Sequence, residues 1–521
     1  HRRYARRELL RLSAGVALLA ACSGGESLLA RDPRPPGQRR QGELAIALPP
    51  GSREHALPPQ LVYACLVALD PRSGRVYGDL AESVEHVEPL VVRMRLRANL
   101  RFHPDADDMA RAITADEVRR EFAERRAAGE FVFAQALERV EAPDARTLVL
   151  RLRVPFSLLF DYLADGALAG IRSVARSPAI EAPLGSGPFV PTAVEGNGVT
   201  LVPHPLFHRA RQPLLEQLTV APGATGTESE QRGGAPELRM LAPAGGRPET
   251  LGGHVLVRRA SRRMLALGLS LLPQKGGRAV RHVAAFQDER VRRAVALSLD
   301  RERLLELHDG TVSGPVGPAH GPDALPAGEL ARHPLYAHRP AEARALLAAA
   351  GHEGLAFALE TAMRPARGLG QTIAEQLRAG GFAPALRVLP PNDWEALLVN
   401  GDFEAGLIEL DELRTADIGL RLQMAGGLSG TFSWWGYSAP AFDVAARQAF
   451  AELDPRRRAE RSRAAQRELL RQVPALLPIS APHEYVLLPP NLRGYDFDAF
   501  EFNDGWLSSR WFLDPARDPR A

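Results

Sequence analysis

The stretch of sequence that decides the fold class is FQDERVRRAVALSLDRERLLEL, residues 286–307. Apolar residues follow Asp288 at the spacing of one helix face, and they are Val291, Ala294, Val295 and Leu299. Asp300 is placed to cap a second helix, which carries the apolar residues Leu304 and Leu305. The stretch therefore predicts two consecutive helices, each with one buried face.

One further helix and two strands follow this pair along the chain. Proline at the first helical position and glycine after the last predict a helix from Pro340 to Gly351. Residues 356–360 and 383–389 predict short strands on either side of a helix that ends at Gly380-Gly381. This alternation of strand and helix indicates an α/β fold.

The N-terminal half of the chain carries a β pattern. Apolar residues alternate with arginines in residues 90–97 and 147–154, which is the period-two pattern of half-buried strands. Between them, Thr114 and Glu117 have the spacing of a capping box, in which each side chain satisfies a free backbone donor. We expect a helix that runs from there toward Arg126.

The first residues of the chain have the pattern of an export signal. Charged residues that include Arg6-Arg7 precede the apolar run 12–21, and this run is too short to span a bilayer, which takes about twenty apolar residues. Residues 19–22, LAAC, resemble a bacterial lipobox, so we predict that residues 1–21 are a signal peptide and that Cys22 carries a lipid. The arginine pair is typical of a twin-arginine signal, and an ordinary n-region of an arginine-rich protein is the alternative.

Removal of the signal changes the charge balance. The whole chain has a formal net charge of +3, and residues 1–21 contain five arginines against Glu8, so the mature chain is left at −1. This balance argues against nucleic acid as a partner. The chain has two cysteines, and a lipidated Cys22 leaves Cys65 without a partner. We therefore expect no disulfide and no thiolate metal site.

The sequence lacks the common motifs for catalysis and metal binding. Its 14 histidines are scattered, and Pro205 argues against a helical pair of His204 and His208, so a zinc site is not expected. No Gly-x-Ser-x-Gly elbow and no phosphate-binding Gly-x4-Gly-Lys loop occurs. We expect no enzyme activity, no cofactor and no resident metal.

Composition and length predict a tether followed by at least two lobes. Residues 22–42 are rich in glycine, proline and charge, which predicts a flexible tether between the lipid and the folded body. The roughly 480 residues that remain exceed what one hydrophobic core normally supports.

Short segments in a fixed order resemble the family 5 extracellular solute-binding proteins, the peptide and nickel class that serves ABC transporters. The segments are YACL (63–66), LDP (69–71), GDLAES (78–83), residues 96–103, TADEV (114–118), GSGPF (185–189), residues 286–294 and 343–351, GYSAPAFD (436–443) and residues 473–495. Their colinear order from about residue 43 to the end of the chain carries the resemblance, and a lipid-anchored exported precursor is the expected context for such a receptor.

The resemblance implies a two-lobed, type II periplasmic binding protein fold of the large cluster C variety, with mixed sheets and a hinge. It implies a first lobe at 43–255, a second at 256–475, and a return to the first at 476–521. A peptide-like or other small solute would be enclosed between the lobes of a monomer, which an ABC permease then recognises. The location would be the periplasm or the outer face of the cell membrane, with the membrane reached through the N-terminal lipid.

The sequence departs from the family where the resemblance places the ligand. Peptide-binding members have a Gly-Trp pair followed by an Asp that holds the peptide's amino group, whereas residues 403–419 read FEAGLIELDELRTADIG. Leu410 aligns with the tryptophan, so Asp411, with Glu409 or Glu412, is the candidate for the carboxylate role. The alternative to a ligand-binding role is that these acidic residues form a solvated loop.

Other candidate ligand contacts come from aromatic and polar residues of the same half. Trp434, Trp435 and Tyr437 form the densest aromatic cluster, which would give an apolar wall, and a buried core pair of tryptophans is the alternative. Ser270 stands where the family usually has an asparagine. Peptide as the ligand is implied by the resemblance alone.

Two other functions remain open at this stage. The first is a lipoprotein that keeps the fold but acts as a sensor or scaffold without transport. The second is an exported hydrolase, which would require a serine, a histidine and an acid within hydrogen-bond reach in one cleft.

Overall fold

A computed structural model describes residues 41–49, 52, 55–69, 76–105, 109–180, 182–223, 236–241, 254–275, 277–362, 368–410, 415–425, 435–495 and 507–517. The chain divides into two compact units. The first unit consists of His1–Met240, Thr250–Val257 and Val486–Ala521, and the second of Leu241–Glu249 and Arg258–Tyr485. The predicted signal peptide, Cys22 and most of the predicted tether lie outside the described residues.

The first unit is built on two sheets. The five strands of its mixed sheet lie in the order Glu237–Leu241, Glu43–Leu48, Gln217–Pro222, Gly198–Pro203 and Phe189–Glu195. The antiparallel sheet has the order Ala81–Glu88, Val91–Leu96, Thr147–Leu152 and Leu137–Asp144. Two short strand pairs complete the unit, Val67–Leu69 with Val76–Gly78 and Leu492–Arg493 with Phe512–Leu513.

The helices of the first unit are short, except for Ala115–Ala127, which packs on the antiparallel sheet. The others are Pro59–Val62, Leu159–Leu163, Gly166–Ala169, a π-helix at Val132–Ala136 and 3-10 turns at Ser508–Arg510 and Pro515–Arg517. Residues from both ends of the chain share one core, in which Leu44 and Ile46 lie with Val486, Leu492 and Trp511. The last residues are therefore an integral part of this unit.

The second unit is a mixed sheet flanked by helices. Its strands lie in the order Ala383–Leu389, Ala356–Ala362, Ala405–Leu410, Met264–Leu269 and the N-terminal part of Leu476–Leu488, with Gly310–Val312 beside the last. Every residue of Met264–Leu269 is buried, as expected for a strand covered on both faces. A hairpin joins Gln274–Lys275 to Arg278–Ala279.

The helices of the second unit include the predicted ones. They are Glu289–Ser298, Arg301–Leu307, Ala327–Arg332, Pro340–Ala350, Leu369–Ala379, Pro391–Asn400, Ala416–Arg421, Pro440–Ala451 and Pro455–Arg471, with 3-10 turns at Ala284–Gln287, Pro318–Asp323 and Pro334–Tyr336. No helix of the described residues is both long and apolar enough to cross a membrane.

Local capping explains where several of these helices begin and end. The Asp288 and Asp300 carboxylates accept from the backbone N–H groups of Arg290 and Arg303, at 2.8 and 3.0 Å, so the predicted cap at Asp300 is confirmed and Asp288 caps the preceding helix in the same way. Gly351 ends its helix at φ 75°, a conformation that side chains disfavour.

The predicted capping box is only half correct. Thr114 Oγ1 accepts from the N–H of Glu117 at 3.3 Å, as predicted. The Glu117 carboxylate accepts instead from Arg120 at 2.8 Å and Arg111 at 3.4 Å, because two arginines lie within its reach.

Arg292, inside the stretch 286–307, is a buried arginine whose hydrogen bonds include no carboxylate partner. Arg292 donates from Nε to the Val473 carbonyl at 2.7 Å, from Nη1 to Phe286 and Gln287 at 2.9 Å each, and from Nη2 to Gln472 at 3.3 Å. Burial lowers the pKa of this guanidinium. Arg292 thereby joins its own helix to the end of the helix Pro455–Arg471.

The chain changes unit after Met240, Glu249, Val257 and Tyr485, and the first, third and fourth of these changes fall within strands. Val255–Ala260 contains the change between Val257 and Arg258, and Leu476–Leu488 contains the change between Tyr485 and Val486. Residues 476–485 thus belong to the second unit, whereas the sequence placed the return to the first lobe at residue 476.

Candidate functional site

Polar side chains lie at one end of three neighbouring strands in the second unit's sheet. The strands Ala405–Leu410 and Met264–Leu269 are antiparallel, with Leu265 opposite Glu409, and Leu265 also lies opposite Ser480 of the next strand. The side-chain period of two then places Arg263, Glu409 and Glu484 on the same face of three neighbouring strands. We call the side chains of Arg259, Arg263, Glu409 and Glu484 the polar edge.

One arginine lies between two carboxylates of the polar edge. Arg263 Nη1 is 3.6 Å from Glu409 Oε1, and Arg263 Nε is 3.8 Å from Glu484 Oε1. Glu484 is also 3.5 Å from Arg259 Nη2. Arg263 and Glu409 are 30% and 33% exposed, so solvent reaches this pair, whereas Glu484 is only 14% exposed.

A separate hydrogen-bonded group surrounds Asp309, and its partners His483 and Tyr485 alternate with Glu484 along one strand, so they face the other side of the sheet. The Asp309 carboxylate is 2.9 Å from His483 Nδ1 and accepts from the Tyr485 hydroxyl. Burial alone would raise the pKa of Asp309, but the hydrogen bonds from Tyr485 and His483 outweigh it and lower that pKa. Burial of the Tyr485 hydroxyl, together with its hydrogen bond to Asp309, raises the pKa of Tyr485.

The polar edge lies next to two of the places where the chain changes unit. Arg258, the residue before Arg259, is the first residue of the second unit after one change, and Tyr485, the residue after Glu484, is the last before the other. The charge pair of Arg259 and Glu484 therefore joins the two passing strands inside the second unit.

Among the predicted acidic residues, the structure describes Glu409. It is the one exposed residue of a strand whose other five residues are buried. Asp411, Glu412 and Trp434 lie outside the described residues, as does the predicted lipidation site Cys22.

Ser270, Trp435 and Tyr437 lie at the other end of these strands. Ser270 follows the last residue of Met264–Leu269, so about 17 Å of extended chain separates it from Leu265, the residue opposite Glu409. The structure therefore does not bring Ser270 together with Glu409. Its hydroxyl is fully buried and has no hydrogen-bond partner among the described residues.

The two described aromatic candidates are core residues. Trp435 is fully buried, donates from Nε1 to the Leu422 carbonyl at 2.8 Å, and packs edge-on against Phe403. Tyr437 donates to the Gln472 carbonyl at 3.3 Å, and its burial raises its pKa to about 12. For Trp435 this packing agrees with the alternative of a buried core residue.

Sequence reasoning missed a buried charge cluster in the first unit. The Asp79 carboxylate is 2.6 Å from His208 Nε2 and accepts from the Arg209 guanidinium. Burial favours the protonated acid, but the charges of Arg209 and His208 outweigh it and hold the pKa of Asp79 well below its usual value. Arg209 also donates to Ser509 Oγ at 3.2 Å, so the cluster connects the C-terminal residues to the body of the unit.

The arrangement required of a hydrolase is not complete in the described part of the chain. Ser480 Oγ lies 3.3 Å from His308 Nδ1, but the neighbouring Asp309 binds His483, a different histidine. Both members of the Ser480–His308 pair are buried. The described residues also contain no group of three or more His, Cys, Asp or Glu side chains that could hold a metal ion.

The comparison with protein families decides which kind of protein this architecture represents. The model described as bacterial extracellular solute-binding proteins, family 5 Middle, matches residues 75–410, which is more than half of the chain. The chain belongs to solute-binding protein family 5. The match covers most of the second unit and includes the strand that carries Glu409. The comparison with curated proteins finds no match.

Solved structures of family 5 type share the fold along almost the whole chain. The chain is similar to DppA of Helicobacter pylori in complex with the peptide STSA, with 17% identity, a TM-score of 0.70, and coverage of 91% of this chain and 99% of that one. Oligopeptide-binding AppA of Bacillus subtilis, in complex with a nonapeptide, has 17% identity, a TM-score of 0.67 and the same coverage. AgaA of A. tumefaciens R10, in complex with agropinic acid, has 19% identity, a TM-score of 0.67 and again the same coverage. The two-lobed type II fold that the sequence predicted is thereby confirmed.

Proposed function

We propose that the protein is an extracytoplasmic solute-binding lipoprotein that captures a peptide-like or other small solute between two lobes and delivers it to an ABC permease. The observation that carries the proposal is the family match over residues 75–410. The relatives named above hold a tetrapeptide, a nonapeptide and agropinic acid, so the fold serves ligands of different kind and size. Binding requires no covalent chemistry and no cofactor.

Closure of two lobes on the solute is the mechanism that we propose. A solute that touches both lobes binds the closed state more tightly than the open one, and this difference in affinity is what shifts the population. The division into two units, with changes of unit inside three strands, supports the hinge of this mechanism. In the proposed assignment the lobes follow the predicted ranges, 43–255 with 476–521 and 256–475, except that residues 476–485 go with the second lobe.

A cationic group of the solute is the feature that the acidic residues would recognise. Glu409 is anchored by a strand that is otherwise buried, and its carboxylate is one-third exposed. A fixed and partly desolvated carboxylate pairs well with an ammonium group. We assign Glu409, Asp411 and Glu412 to this role and Trp434 to an apolar contact. Ser270, Trp435 and Tyr437 lie buried at the other end of the strands and are not assigned to this contact.

Export and lipid attachment complete the proposal. Cys22 would carry the lipid after removal of residues 1–21, with residues 22–42 as the tether. The protein would then act as a monomer in the periplasm or at the outer face of the cell membrane.

Mass spectrometry of solute retained by the purified protein, followed by calorimetry with the solute identified, tests the function. Glu409→Gln and Asp411→Asn should each weaken binding at least about tenfold, because loss of one partner of a desolvated charge pair costs about 2–5 kcal/mol. Arg387→Gln is the matched control, since it removes a half-exposed charge from a different edge of the same sheet. Unchanged affinity in both acidic variants would contradict the site, and a protein that retains and binds no solute would support the sensor or scaffold role.

A further inference from the structure

At two of the places where the chain changes unit, neighbouring residues of one strand are anchored in different units. Val257 and Val486 pack in the hydrophobic core of the first unit, where Val486 is 4% exposed. The residues beside them, Arg258 and Tyr485, belong to the second unit, and Tyr485 is 2% exposed. We call the steps Val257–Arg258 and Tyr485–Val486 the crossing steps. Hinge motions change the backbone torsions of a few residues, and anchors this close together leave little chain between them to bend.

Asp309 holds the second-unit side of the step at Tyr485. Its carboxylate accepts from the Tyr485 hydroxyl and lies 2.9 Å from His483 Nδ1, and its backbone carbonyl accepts from the His483 N–H at 2.9 Å. Asp309 also directly precedes a strand that pairs with the same long strand, with Gly310 opposite Pro482. Side chain and backbone of Asp309 therefore bind the last residues of the long strand before it leaves the second unit.

The group around Asp309 is connected to the other crossing step as well. The strand that contains Arg258 pairs with the strand that contains Tyr485, and the Ser261 N–H donates to the Pro482 carbonyl at 2.8 Å. The charge of Arg258 acts on both the Asp309 carboxylate and the Tyr485 hydroxyl. The second-unit sides of both crossing steps are thus held by one group of contacts.

These contacts are of a kind whose loss has a large local effect. The Asp309 and His483 side chains are only 22% and 14% exposed, so water competes poorly for their hydrogen bonds. A hydrogen bond to an ionised carboxylate is also stronger than one between neutral groups. Without Asp309 the end of the long strand would gain freedom, and bending would spread from the crossing step into the residues before it.

We propose that Asp309 is a positioning residue for lobe closure, which confines the bending of these two strands to the crossing steps by fixing their second-unit sides. The inference rests on the proposed function, because closure is the motion that it serves. In this role Asp309 acts through Tyr485 and His483 and touches no solute. Its contribution to affinity is therefore the same for every solute on which the lobes close.

Hydrogen exchange of the unliganded protein, followed by mass spectrometry, tests the positioning directly. Tyr485→Phe removes the hydroxyl and keeps the buried ring, whereas Asp309→Ala removes the whole anchor. Peptides from the strands Val255–Ala260 and Leu476–Leu488 should exchange about tenfold faster in both variants, because loss of a hydrogen bond to a charged group raises the population of the locally open strand by about that factor.

Ser462→Ala is the matched control for general destabilisation. It removes a buried hydroxyl that donates to the Asp323 carbonyl at 2.9 Å, on the helix Pro455–Arg471 of the same unit. The control should leave the exchange of both strands unchanged. Equal acceleration in the control would overturn the inference, because the effect would then not be specific to the crossing steps.

Calorimetry with tri-alanine and tri-lysine tests the effect on binding. Tyr485→Phe and Asp309→Ala should weaken both tripeptides by the same factor, about three- to tenfold, because a strand that is freer in the open state loses more conformational entropy on closure. Ser462→Ala should bind both like the parent. Unequal weakening of the two tripeptides would overturn the inference, since it would indicate direct contact with the solute.

The two measurements separate this inference from the proposed function. Unchanged exchange of both strands in Tyr485→Phe and Asp309→Ala would overturn the role of Asp309 and leave the proposed function standing. Faster exchange with unchanged affinity would also overturn it, because closure would then not depend on these contacts. If the parent binds neither tripeptide, the proposed capture of peptides is contradicted, and the exchange of the unliganded protein still decides whether Asp309 fixes the strands.

Discussion

Replacement of Arg292 by methionine tests whether carbonyl groups alone stabilise a buried arginine in this fold. The change removes four hydrogen bonds, to the carbonyls of Phe286, Gln287, Gln472 and Val473. The bonds to Phe286 and Val473 are fully buried, and each buried acceptor left without a partner costs about 1–3 kcal/mol. We therefore expect Arg292→Met to lower the free energy of unfolding of the second unit by about 2–6 kcal/mol.

Urea unfolding followed by circular dichroism measures this loss. Arg293→Met, on the next residue of the same helix, is the matched control, because Arg293 is partly exposed and pairs with Glu289 at 3.0 Å on the surface. Such a pair contributes about 0.2–1 kcal/mol. Arg292→Lys should fall between the two, since an ammonium group reaches fewer of the four carbonyls. A loss below 1 kcal/mol in Arg292→Met, equal to that of the control, would refute the reasoning, because about 2 kcal/mol is the least that two orphaned carbonyls should cost.

Three further predictions concern anchoring, closure and pH. Cys22→Ser should release the exported protein into the soluble fraction, and retention in the membrane fraction would show that another anchor exists. Small-angle scattering should give a smaller radius of gyration at saturating solute, and an unchanged radius would indicate a rigid scaffold. Burial lowers the pKa of His204 to about 4. The contribution of the buried, neutral imidazole to stability is therefore fully present above the unfolded pKa of about 6.5, and it is lost as the pH falls toward 4. The free energy of unfolding should therefore fall less between pH 7 and 5 in His204→Gln than in the parent, by about 1–2 kcal/mol, whereas parallel curves would contradict the assignment.

Features that depend on neighbouring residues were predictable from the sequence. The cap at Asp300 and the glycine that ends the helix at Gly351 follow from chemistry within four residues, and the structure confirms them. The strands at Ala356–Ala362 and Ala383–Leu389 follow from their apolar pattern in the same way.

Features that depend on distant pairing were not predictable. Asp79 meets His208 and Arg209 across more than 120 residues, and no local pattern marks that meeting. The placement of Ser270 away from Glu409 is likewise fixed by strand register, which a single sequence does not reveal.

The burial pattern of the strand Ala405–Leu410 has a consequence for how such a protein diverges. Five of its six residues are committed to the interior, and Glu409 alone reaches solvent, directly before the chain leaves the strand. In the proposed site, a substitution at Glu409 changes the charge offered to a solute without disturbing the buried residues that hold the sheet together. A lineage that acquires a new nutrient could then alter this position by a single substitution, while selection for folding acts on the five buried residues of the strand.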